Sequence, residues 1–236
     1  LAAIQLPFCA GIPYLLLRGR ENPGRAGGAA PGRRAAGSIK PALAHPVFWL
    51  LALSFVTYAF LFVSLVFNLV PMLTERGYTP AEAVAAYACV GPFQLAGRMA
   101  ILTLERYISV TAAGLIGILF PVLAMGLMMT LDAHSPLVYL FAVTFGAGMG
   151  IKTIVQATAA PEFLGREAYG ALQGALMFPV YVAQALSPFL AASLWQFAGD
   201  YGPLQSILMA AGCVSAIAFI IAARLRPRER TAPVSG

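Results

Sequence analysis

One ammonium group stands alone in a long apolar run. Lys152 lies in Gly146-Ala147-Gly148-Met149-Gly150-Ile151-Lys152-Thr153-Ile154-Val155-Gln156; no Asp, Glu, Lys or Arg occurs from Ala133 to Ile151, and none follows before Glu162. A charge at hydrocarbon depth is costly and persists where it faces a bundle interior, a wet cavity or an opposite charge. Its chemistry would be electrostatic: attraction of an anionic substrate, or a counter-charge that changes partner between states. Three destinations are open to it: the headgroups, reached by snorkelling of the stem, a cavity, or a carboxylate outside this sequence. Gln156 follows one turn on, on the same helical face. Gly146, Gly148 and Gly150 leave the preceding turn almost without bulk. They serve close helix packing or a helix that bends or admits a substrate beside the lysine.

Weaker polar patterns accompany the lysine. Ser54, Thr57, Ser64 and Asn68 form a stripe on one helix, and the Asn68 amide wants several partners if buried. Gln173, Tyr181 and Gln184 form a looser stripe, on a helix that Pro179 and Pro188 are expected to kink. Tyr87 and Gln94 share a face on another helix. Interhelical hydrogen bonding and the lining of a hydrated path both account for such stripes. The substrate-binding candidates are Lys152, Gln156, Asn68, Gln184, Tyr181 and Thr57. Arg98, Glu105 and Arg106 are either charged anchors at a helix end or a gating network.

Catalysis is not expected. The two histidines, His45 and His134, fall outside the apolar runs, and no HExxH, GxSxG or phosphate-loop pattern occurs. Cys9, Cys89 and Cys213 stand singly, without the spacing of a zinc site or a disulfide framework. No metal or other cofactor is therefore expected.

The elements that must position these residues are membrane helices. The 236 residues are 60% hydrophobic and 10% charged, against about 25% charged in soluble domains. Charge-free runs cover Ala42 to Thr74, Tyr107 to Leu131, Ala168 to Gly199 and Tyr201 to Ala223, each at or beyond the roughly 20 residues a helix needs to cross a bilayer. No period-two alternation suggests barrel strands. The expected fold is all-α: a polytopic transmembrane bundle of six full spans preceded by the end of another.

Four segments follow. Residues 1–17 read as the end of a truncated transmembrane helix, because Arg18 and Arg20 come after the apolar run rather than before it, opposite to a signal peptide. Residues 18–45, rich in Gly, Pro and Arg, read as a flexible basic loop. Residues 46–223 hold the six helices: His45-Pro46 to about Pro71, Thr79-Pro80 to about Leu104, Ile108 to Leu131, Pro136 to Ala160, Ala168 to Phe197, and one after Pro203 to about Ala223. Residues 224–236 form a basic tail. Thr79-Pro80-Ala81-Glu82 carries a capping-box start. With a helix over Pro136 to Ala160, Lys152 sits about 24 Å from one end and about 12 Å from the other.

The charges orient the bundle. All fifteen Lys and Arg except Arg76 and Lys152 fall on one side of this topology, which the positive-inside rule makes cytoplasmic. The net charge of +6 is thus accounted for without nucleic acid. The C-terminus is expected inside, in a bacterial-type inner membrane.

At the level of motifs the chain resembles the C-terminal half of a major facilitator superfamily transporter over essentially its whole length. Gly91-Pro92-Phe93-Gln94-Leu95-Ala96-Gly97-Arg98, followed by Glu105-Arg106, is similar to the acidic-arginine signature between the second and third helices of each half. Glu162-Phe163-Leu164-Gly165-Arg166-Glu167 leading into Tyr169-Gly170-Ala171-Leu172-Gln173-Gly174 is similar to the connection between the fourth and fifth helices. The resemblance implies a partnering N-terminal six-helix half, a substrate site near the midplane and rocking alternating access. The expected function is secondary transport of a small organic anion or amphipathic solute, with efflux of lipophilic compounds by the same fold as the alternative and a channel or scaffold as the remote one. No complete span holds an internal Asp or Glu, so proton coupling through a membrane carboxylate would fall to the other half.

Overall fold

In the computed structural model, residues 43–104, 106–164 and 169–226 are described. They form six helices and, among the described residues, no strand: α1 Pro46–Glu75, α2 Pro80–Leu104, α3 Val110–Thr130, α4 Leu137–Leu164, α5 Tyr169–Ala198 and α6 Gly202–Arg224. The expected truncated helix at 1–17, most of the 18–45 loop and the tail beyond Arg226 lie outside the described residues.

Five helices, α1 and α3 to α6, are long and apolar enough to cross a membrane. The exception among the six expected spans is α2. Its 25 residues carry Glu82, Gln94 and Arg98, and much of the remainder is Ala and Gly, which add little hydropathy. Those small residues are what let it lie close against α4.

Local chemistry sets the helix ends. His45 Nδ1 accepts from the Val47 amide over 3.3 Å at the start of α1, with Pro46 in the first turn. At its end Gly77, with φ +90°, closes a Schellman turn: the Tyr78 amide donates to Leu73 O and the Gly77 amide to Thr74 O. The capping box forms as expected, the Glu82 amide donating to Thr79 Oγ1 and the Thr79 amide to Glu82 Oε2 over 2.8 Å. The α3 C-terminus is closed from outside itself. The Arg76 guanidinium donates to the Met128 and Leu131 carbonyls and, over 2.6 Å, to Gln205 Oε1 at the start of α6, joining three elements at one end of the bundle.

α4 runs four residues past its expected end. Pro161 lacks the amide that would bond Ala157 O, yet the helix continues to Leu164, and the Tyr169 hydroxyl donates to that open carbonyl over 3.2 Å. The longer helix puts Lys152 about 22 Å from one end and about 18 Å from the other, at 1.5 Å per residue. The lysine is therefore more central than the sequence alone places it.

Packing divides the bundle into two tightly associated groups. α4 packs closely on α2 and α3, and α1 on α5 and α6, while α3 bridges to α6. Ser54 Oγ meets Ser215 Oγ at 3.2 Å between α1 and α6, and Ser64 Oγ meets Ser187 Oγ at 2.6 Å between α1 and α5. Two members of the α1 polar stripe thus serve interhelical bonding. By contrast α1 and α4 touch little, as do α4 and α5. The gap between these groups is where Lys152 points.

Candidate functional site

The glycines create the site by filling one side of α4 with backbone. A Cβ on Gly146 would fall 2.5 Å from Val90 O, and one on Gly150 would overlap Gln94 O; a Cβ on Gly148 would meet Pro121 of α3 at 2.5 Å. Close packing, rather than space beside the lysine, is their use. With α2 and α3 occupying those faces, the Lys152 side chain is left to point across the sparse junction toward α1.

There it is enclosed. Lys152 is 1% exposed, and its Nζ lies 3.4 Å from the centre of the Phe55 ring and 5.1 Å from that of Tyr58. Among the described residues neither Lys152 Nζ nor Tyr58 Oη has a hydrogen-bond partner, although both are buried. An ammonium offers three donors, and aromatic faces attract the charge without accepting those hydrogen bonds as carbonyls or carboxylates would.

Lys152 and Tyr58 border a cavity of about 120 Å³, whose lining includes Phe55, Phe62, Gln94, Met149, Gln156 and Gln184. A second cavity, about 310 Å³, shares Phe62, Gln94 and Met149 and extends to Val66, Tyr87 and Val90. The two adjoin along these shared residues of α1, α2 and α4, and we treat them as lobes of one groove, with Gln184 of α5 on the smaller. Lys152 is the one charged residue in either lining.

The chain's relationships now bear on this geometry. A family model described as Major Facilitator Superfamily matches residues 2–188. The chain belongs to the Major Facilitator Superfamily. No curated protein matches it. As a superfamily member it is a multi-pass membrane protein and a transporter rather than an enzyme, and the resemblance carried by the Gly91–Arg98 and Glu162–Gly174 segments holds at family level.

Of the candidate substrate residues in this superfamily chain, the fold brings together Lys152, Gln156 and Gln184 on the small lobe, with Gln94 at the junction. Gln156 also donates to Met177 Sδ over 2.9 Å, and its carbonyl accepts from Gln173 Nε2 over 3.2 Å. Thr57 and Asn68 bond their own helix, Thr57 Oγ1 donating to Leu53 O and Asn68 Nδ2 to Ser64 O, each over 2.8 Å. Neither lines the groove. Tyr181 is 62% exposed on α5 and also stands outside it.

Of the gating candidates, Arg98 and Arg106 line neither lobe. Arg98 Nε donates to Thr153 Oγ1 over 3.1 Å, and that hydroxyl donates to Gly150 O, so the arginine braces α2 on α4 immediately behind the lysine. Arg106 borders a crevice of about 380 Å³ with Ile101, Leu102, Val110, Ile154 and Thr158. Glu105 lies outside the described residues. Among the described residues no group of three or more His, Cys, Asp and Glu is placed to hold a metal.

Tyr58, Phe55 and Phe62 are the site residues that sequence reading missed. Their signal was present: three aromatics at helical spacings of three and four, with one phenol in the middle of a charge-free run.

Proposed function

We propose that this chain is the C-terminal six-helix half of a secondary transporter, moving a small organic anion or amphipathic solute across a bacterial-type inner membrane by alternating access. The observation that carries the reading is the Lys152 ammonium, enclosed on a groove without an acceptor for its protons. A buried unpaired cation is unfavourable, and an anion that pairs with it relieves that cost. Binding energy and charge are thereby coupled. Gln156, Gln184 and Gln94 supply neutral polar contacts beside it.

An N-terminal half would complete the carrier. The open α5 face, with Phe178 71% and Phe189 69% exposed alongside Tyr181, is suited to cover by it or by lipid. α2 would then cross the membrane shielded by protein, which its modest apolarity requires. The basic central loop and tail would lie in the cytoplasm by the positive-inside rule, with Arg98, Glu105 and Arg106 at the same end as gating or anchoring charges.

The second reading, efflux of lipophilic compounds, is favoured by the aromatic walls Phe55, Tyr58 and Phe62. Transport by the full-length carrier in proteoliposomes separates the two. Anions should compete with substrate and cations should not, and both Lys152→Ala and Lys152→Arg should lose transport. Wild-type rates in both variants would remove the lysine from the mechanism.

A further inference from the structure

Resting on the reading of Lys152 as an anion partner, the geometry points to a narrower substrate: an amphipathic monocarboxylate, with its carboxylate held between Lys152 Nζ and Tyr58 Oη and its apolar body lying in the larger lobe toward Tyr87. Three observations converge. The first is the pair of buried, unpartnered donors on the small lobe. A carboxylate is acceptor-only and offers two oxygens, so it satisfies an ammonium and a phenol together, whereas a neutral solute leaves the charge unanswered.

The second is charge balance. Lys152 is the lone charged residue in the lining of either lobe, and the rest of the polar rim is the neutral Gln94, Thr153, Gln156 and Gln184. One negative charge completes this site; a second would be buried without a partner, which is costly in a low-dielectric interior.

The third is shape. The small lobe, about 120 Å³, is smaller than the roughly 150 Å³ cavity that accommodates benzene. It therefore suits a head group, and the solute's body must continue past Gln94 into the lobe of about 310 Å³. That lobe is bordered by Phe62, Val66, Val90 and Met149, with Tyr87 at its rim, an apolar lining that rewards hydrocarbon.

Titration calorimetry on the purified full-length carrier tests this with acetate, hexanoate, succinate and hexanamide. Hexanoate should bind at least tenfold more tightly than acetate, since its added methylenes enter the larger lobe, while succinate and hexanamide should give no binding. Tyr58→Phe should weaken hexanoate roughly tenfold, the loss of one hydrogen bond to a charged group, and leave the hexanoate-to-acetate ratio unchanged. Tyr87→Ala should instead shrink that ratio. Succinate binding as tightly as hexanoate, or Tyr58→Phe binding hexanoate like wild type, would overturn the monocarboxylate assignment while leaving Lys152 an anion site. Hexanamide binding as well as hexanoate, or no carboxylate binding at all, would overturn the anion reading itself.

Discussion

The Tyr169 hydroxyl, at the start of α5, donates over 3.2 Å to the Ala157 carbonyl in α4, the acceptor that Pro161 leaves without its amide. One side chain thus answers the carbonyl that a proline leaves open in α4. Tyr169→Phe should cost about 0.5–1.5 kcal/mol, the net worth of one hydrogen bond. In Pro161→Ala the backbone amide returns, and the same Tyr169→Phe change should then cost close to nothing. Equilibrium unfolding of the four proteins of this double-mutant cycle in detergent checks the coupling.

The α2–α4 contact makes a sharper contrast. Gly150→Ala would drive a methyl into Gln94 O, whereas a methyl on Gly174 in α5 meets nothing within 4 Å. Gly150→Ala should destabilise by about 1–3 kcal/mol as overpacking does, and substrate affinity should fall as well, because Gln94 borders both lobes of the groove. Gly174→Ala should be neutral or stabilising by up to about 1 kcal/mol through helix propensity. Thermal unfolding and binding on both variants distinguish the sites.

Arg76 ties the end of α1 to α3 and α6 through the Met128 and Leu131 carbonyls and Gln205 Oε1. Burial pulls its guanidinium pKa below the ordinary arginine value, but the group remains charged across the working pH range. Arg76→Ala should therefore cost about 1.5–3 kcal/mol, with Gln205, only 4% exposed, left without its donor. Arg76→Lys should recover less than half of this, since a point ammonium cannot span the three acceptors that the planar fork reaches. Denaturant unfolding measures both.

What was legible in the sequence follows from which forces act locally. The Thr79–Glu82 capping box and the helical apolar runs depend on neighbours within a turn or on composition, and the box and the six helices are present in the fold. The end of α4 was misplaced because Pro161 reads as a breaker, and its compensation comes from Tyr169, across the loop. The polar stripe of α1 could not be resolved by spacing. Ser54 and Ser64 found partners on α6 and α5, while Thr57 and Asn68 turned back on their own helix, an outcome fixed by which helices become neighbours. Tyr58 escaped notice for the same reason. A tyrosine in an apolar run gains meaning once Lys152, 94 positions later, is seen across the gap.

That gap yields the prediction that separates stability from function. Lys152 is enclosed, and among the described residues its Nζ has no hydrogen-bond partner. Burying an unpaired charge costs more than the Phe55 ring at 3.4 Å returns, about 2 kcal/mol for a desolvated cation–π contact. Lys152→Met keeps an unbranched stem, one atom shorter, and removes the charge. Without added solute the variant should unfold at a higher denaturant concentration than wild type, by the equivalent of at least about 1 kcal/mol, and should no longer be stabilised by hexanoate, a member of the proposed substrate class. Wild type should show the opposite pattern: lower intrinsic stability and a rise with anion concentration following the binding linkage. Loss of stability in Lys152→Met would mean that the ammonium has an acceptor in the complete carrier, and would reassign the lysine from substrate partner to structural ion pair.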